Sequence, residues 1–130
     1  MSRCVALLLI AHGSRQEEAN ADLCLLAEAL RRRGGYAVVE VSYLELAEPA
    51  VPDGAAACVA QGARRVVLLP YFLSAGVHVR RDLAERRDRL AARFPDVDFR
   101  LAEPLGRHSL LLDVVADRVR EALGPGGSRE

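Results

Sequence analysis

The sequence predicts a three-layer α/β domain, with a four-stranded parallel sheet flanked by helices on both faces. Three observations predict it. Short apolar runs such as Val5–Ala11 are continuous rather than alternating, as in strands buried on both faces. Between these runs lie segments with apolar residues at helical spacing. The two kinds of segment alternate, strand then helix, four times over, which implies parallel pairing through crossover helices.

The elements follow in order. A first strand covers 5–11. Ser14 then stands where a helix cap is needed, with Glu17 at capping-box spacing. Ala19, Leu23, Leu26, Ala27 and Leu30 recur at helical spacing; Arg31, Arg32 and Arg33 suit that helix's negative C-terminal end, and Gly34-Gly35 stop it. A second strand takes 36–44. Glu48-Pro49 opens a turn, and residues 51–54 lead into a helix over 55–61, ended by Gly62. The third strand is 65–70. Beyond Gly76 a helix is expected over 79–93, closed by Phe94-Pro95. A fourth strand at 97–102 precedes a last helix over 109–123. Residues 1–123 read as one domain and 124–130 as a mobile tail.

Composition narrows the function classes. Half the residues are apolar (51%), which argues against disorder, and the net charge of +0 gives no general attraction for nucleic acid or an anionic membrane. All 18 basic residues are Arg, so neither a Schiff-base lysine nor a P-loop lysine is available. Cys4, Cys24 and Cys58 are too scattered for a redox pair or zinc site; they read as reduced, mostly buried cysteines of a cytoplasmic protein. The start of the chain does not read as a signal peptide, and no apolar stretch approaches the ~20 residues of a membrane span. GxGxxG, GxxxxGK[ST] and GxSxG are all missing.

Three chemistry-bearing residues stand past the ends of three successive strands: His12, Glu45 and His78. Ligands of open parallel sheets bind outside those carboxyl ends, and neutral imidazole is a common metal ligand. Two imidazoles and a carboxylate can together hold a divalent cation with open positions. Alternatively, one imidazole coordinates while the carboxylate moves protons. Each residue also has a plainer reading: His12 as a helix-entry residue, His78 as a cap, Glu45 as a solvated loop carboxylate. His108, near the start of the last helix, reads as structural or at a rim. Arg15 and Arg80 lie beside the histidine-bearing loops, where guanidinium groups can grip carboxylates.

The segments Leu9-Ile10-Ala11-His12-Gly13-Ser14-Arg15, Tyr43-Leu44-Glu45-Leu46-Ala47-Glu48-Pro49 and Val66-Val67-Leu68-Leu69-Pro70-Tyr71-Phe72-Leu73-Ser74-Ala75-Gly76-Val77-His78-Val79 resemble those of the sirohydrochlorin chelatases, the class II cobalto- and ferrochelatases. Pro104-Leu105-Gly106-Arg107-His108 resembles the family's late motif, so the similarity runs from residue 5 to about 112. The resemblance implies a chelatase-like, flavodoxin- or Rossmann-like topology. It implies ATP-independent insertion of Co2+ or Fe2+ into sirohydrochlorin, towards cobalamin or sirohaem. By position, His12 and His78 become the metal-handling histidines and Glu45 the assisting carboxylate. Ser14, Arg15, Tyr71, Phe72, Ser74 and Arg80 become substrate-binding residues. The short form implies a homodimer, with no organic cofactor, no iron–sulfur cluster, no nucleic acid and no membrane. A non-catalytic metal or tetrapyrrole carrier would use the same histidines. A histidine phosphotransfer enzyme would place Arg directly before the histidine, where this chain has Ala11.

Overall fold

The computed structural model describes residues 5–127. The order is β1 (Val5–Ala11), α1 (Glu17–Arg33), β2 (Val38–Tyr43), α2 (Val51–Ala60), β3 (Arg65–Pro70), α3 (Val77–Arg93), β4 (Asp98–Leu101) and α4 (Leu110–Gly127). All strand pairs are parallel, in the order β2-β1-β3-β4. The predicted α/β architecture is therefore the observed one.

The two-residue period of β1 builds both cores. Ala6, Leu8 and Ile10 face one side, where they meet Val51, Ala55 and Cys58 of α2 and share a cluster with Leu83 and Leu90 of α3. Leu7 and Leu9 face the other, against Leu23 and Ala27 of α1. The middle of β1 is buried on both sides, which explains its unbroken apolar run.

Several boundaries differ from the sequence expectation. The first helix begins at Glu17 with Gln16 as its N-cap, and no side chain caps it. Ser14 is not the cap: its hydroxyl accepts the Gln16 amide (3.0 Å), while Asn20 takes the Ser14 amide and donates to the Ser14 carbonyl. A local turn and an asparagine clamp thus outcompete the capping box. The second helix starts at Val51, four residues early, because Pro52 suits a first turn. The third starts at Val77, so His78 lies within its first turn. Strands β2 and β4 are each shorter than expected. Cys58 is buried but Cys24 is exposed, against the expectation of mostly buried cysteines, and Cys4 lies outside the described residues. The α4 helix breaks at Gly124 (φ 73), where the expected tail begins; residues 128–130 lie outside the described set.

One layer is incomplete. Val67 and Leu69 of β3 share the α1 face of the sheet with Leu7 and Leu9, yet they are only half-buried. Beside them Asp98 pairs with Arg65 (3.0 Å) and Arg100 (3.1 Å) in partial exposure. These bonds, Arg100 foremost, hold the Asp98 carboxyl below its usual range. The α4 helix joins neither core cluster.

Candidate active site

The chain leaves β1 for β2 in one direction and then crosses to β3 and β4 in the other. The crevice between the carboxyl ends of β1 and β3 is therefore the topological switch point, where such sheets bind ligands. His12 stands there, exposed, on the first residue past β1. Its ring stacks on Phe72, with centroids 4.4 Å apart and planes at 28°. Phe72 comes from the loop after β3, which the Tyr71 amide ties to the Ile10 carbonyl at 2.7 Å. The imidazole is thus oriented by an aromatic face, and its edge stays open to a ligand.

Glu45 is joined to the same spot through the main chain. The ladder continues past β1 and β2: the Leu44 amide donates to the Ala11 carbonyl (2.9 Å) and the Glu45 amide to the His12 carbonyl (3.0 Å). Gly13 makes this approach possible. It sits at φ 95, and a Cβ there would lie 1.7 Å from the Glu45 carbonyl oxygen. The Glu45 side chain is exposed.

His78 is exposed in the first turn of α3. The structure brings His12 and Glu45 together through their backbones. Among the described residues no group of three His, Cys, Asp or Glu side chains is arranged to hold a metal ion, so His12, Glu45 and His78 do not form a preassembled three-ligand centre.

Two clefts open on the surface nearby. One, of about 480 Å³, is lined by Ser14, Arg15, Asn20, Cys24 and Tyr43. In its wall the Tyr43 hydroxyl donates to the Asn20 carbonyl (2.9 Å); burial, then the neighbouring Cys24, pushes this phenol up to about 12. The other, of about 650 Å³, is lined by Ser74, Arg80, Glu103, Arg107 and His108 among others. Ser14, Arg15, Ser74 and Arg80 thus all line clefts, while Tyr71 is exposed beside Phe72. Arg80 is not a free cation: it donates to Glu103 at 2.9 Å and to the Ala75 carbonyl at 3.2 Å. Sequence reasoning singled out neither Glu103 nor Arg107. Both lie in the loop after β4, and only the late-motif resemblance pointed towards that loop.

Sheet order and crevice define a class: a parallel α/β lobe that presents an imidazole at its topological switch point. Within that class the chain belongs to the CbiX family, whose model matches residues 6–122. It is 39% identical to the chloroplastic sirohydrochlorin ferrochelatase of Arabidopsis thaliana, over 90% of this chain and 52% of that protein. It is 32% identical to the sirohydrochlorin cobaltochelatase of Methanopyrus kandleri, over 92% of this chain and 98% of that protein. The crystal structure of the sirohydrochlorin chelatase SirB from Bacillus subtilis subspecies spizizenii, in complex with cobalt, superposes with a TM-score of 0.81. The two are 31% identical, over 90% of this chain and 50% of that one. The chain spans about half the length of several curated relatives it matches.

Proposed function

We propose that this protein inserts a divalent metal ion, Co2+ or Fe2+, into sirohydrochlorin without ATP. The observation that carries the reading is His12, stacked on Phe72 at the switch point and joined to Glu45 through the backbone, in a chain similar to ferro- and cobaltochelatases of that macrocycle. The metal is a substrate. As it enters, two pyrrole N–H protons leave, and charge is conserved. His12 is a ligand while neutral, so it passes the ion to the ring nitrogens; His78 serves as the second metal-handling imidazole. Glu45, exposed beside His12, accepts a released proton. Ser14, Arg15, Tyr71, Phe72, Ser74 and Arg80 form the substrate-facing surface. The reading includes a cytoplasmic location. It includes neither an organic cofactor nor an iron–sulfur cluster, and neither nucleic acid nor a membrane as partner. Among the described residues no helix is long and apolar enough to cross a membrane.

We further propose that two copies act as a homodimer joined through α4. This helix exposes Leu110, Leu112, Val114, Val115, Val119 and Leu123. At helical spacing Leu112, Val115, Val119 and Leu123 share one face, an apolar stripe on the order of several hundred Å2 and roughly half of what one partner of a stable dimer contributes. The charges of α4 pair within the helix, Arg118 with Glu121 (2.9 Å) and Arg120 with Asp117, so the apolar stripe is the part of the helix left for a partner.

The test is an absorbance time course of sirohydrochlorin with Co2+, and with Fe2+ under anaerobic conditions, at catalytic protein concentration. Many turnovers above the spontaneous rate are expected, abolished in His12→Ala with the fold intact. Full activity in that variant overturns the role of His12. Tetrapyrrole binding without acceleration by either metal replaces the enzyme with a carrier.

A further inference from the structure

The larger cleft holds two arginines in opposite states. Arg80 is held by Glu103 and the Ala75 carbonyl, so its charge is compensated inside the cleft. Arg107, which lines the same cleft, has no side-chain ion pair or hydrogen bond among the described residues. Its backbone sits at φ 70, a left-handed conformation rare outside glycine. Such a conformation persists when its surroundings over-determine it, and strained residues cluster at ligand sites.

The surroundings do over-determine it. Gly106 packs so tightly that a Cβ there would lie 2.0 Å from the Leu73 carbonyl oxygen. The Leu105 amide donates to the Phe72 carbonyl at 3.0 Å. The Arg107 loop is thus fastened to the segment whose Phe72 stacks on His12. Two neutral donors join it. The Nδ1 of His108 accepts the Leu110 amide (3.1 Å), so the neutral ring carries its proton on Nε2, free to donate. The Ser74 hydroxyl lines the cleft and has no partner among the described residues.

We infer that Arg107, with His108 and Ser74, forms a carboxylate-binding subsite that grips one edge of a polycarboxylate macrocycle and sets its position over His12. The inference rests on the proposed chelatase function and names residues beyond it. An unpaired guanidinium offers a planar fork that matches a carboxylate, and neutral donors beside it add direction without competing charge. Glu103 has a defined part: by compensating Arg80 it keeps the cleft from holding its ligand too tightly, leaving Arg107 as the cation that selects acidic substrates.

The test uses Arg107→Gly, because glycine accepts the left-handed backbone and the loop keeps its shape while the guanidinium is lost. The probes are uroporphyrin, a fluorescent octacarboxylate, and deuteroporphyrin, a dicarboxylate, each titrated without metal; sirohydrochlorin turnover is followed in parallel. Arg107→Gly is expected to weaken uroporphyrin binding about tenfold, the effect of one charge-assisted pair, and to leave deuteroporphyrin within about twofold. The KM for sirohydrochlorin should rise in step, with kcat little changed. Arg107→Lys should recover only part of the affinity, since a point charge lacks the fork. Glu103→Gln should tighten uroporphyrin binding. Unchanged uroporphyrin affinity in Arg107→Gly, while the wild type turns over sirohydrochlorin, overturns the subsite alone. A wild type that neither binds uroporphyrin nor accelerates metal insertion overturns both the subsite and the function on which it rests.

Discussion

The α3 helix and the straight part of α4, up to its break at Gly124, carry leucines with largely opposite fates. Leu83 and Leu90 of α3 are 2% and 4% exposed. On α4, with the richer supply of Leu and Val, Leu112 is 74% and Val115 61% exposed. The poorer helix buries both its leucines, though Val77 at its start is 68% exposed, and the richer one is mostly bare. The difference teaches that an apolar stripe records which face requires cover, not whether the same chain provides it. The α3 helix crosses between two paired strands, so connectivity lays it on the sheet. Among the described residues α4 stands outside the strand-to-strand crossovers that lay α1, α2 and α3 on the sheet.

The largest test of this contrast is stability. Leu83→Ala should cost ~2–5 kcal/mol in urea unfolding, because its site is closed on all sides. Leu112→Ala should change the monomer, at low protein concentration, by less than ~0.5 kcal/mol. Equal costs would mean that α4 is packed in solution as tightly as α3. Second comes association. Val119→Asp should raise the dimer dissociation constant at least ~30-fold in sedimentation equilibrium while the monomer stays folded, since it buries an unpaired charge in the apolar stripe. It should also remove the dependence of the unfolding midpoint on protein concentration.

The smallest effect is a pH dependence on the packed side alone. Burial, and secondarily Glu40, pushes the Cys58 thiol from 9.0 up to about 12. Above about pH 9 the unfolded chain loses this proton while the folded chain keeps it, so folding stability declines as pH rises from 9 towards 12. Tyr43, raised from 10.0 to about 12, adds to the decline from about pH 10. Urea midpoints at pH 8, 9, 10 and 11 should trace the loss, and Cys58→Ala should flatten the step between 9 and 10. A decline unaltered by that substitution would assign the alkaline lability elsewhere.

What the sequence made legible follows the same division. The β1 run and the helical spacing of α1 announced buried faces, and the structure buries them. The positions of His12 and Glu45 past consecutive parallel strands put them at one end of the sheet, since parallel strands share their carboxyl ends. Local competition was harder to read. Whether Ser14 caps a helix or turns onto Gln16 depends on Asn20, a polar residue within the helix with no signal in the apolar pattern. The commitment of Arg80 to Glu103 spans 23 positions and ties helix α3 to the loop after β4, and its spacing carries no periodicity. The exposure of α4 could not be read because its composition promised the reverse.

The contact between Gly13 and the Glu45 carbonyl has a consequence for redesign. The spacing of the two loops there is fixed by main-chain atoms, before any side chain at 12 or 45 is chosen. Side chains at those two positions are therefore interchangeable parts on a fixed mount. A library that varies residues 12 and 45 while holding Gly13 explores new side-chain chemistry at the crevice on one unchanged frame, whereas a library that varies Gly13 loses the frame first.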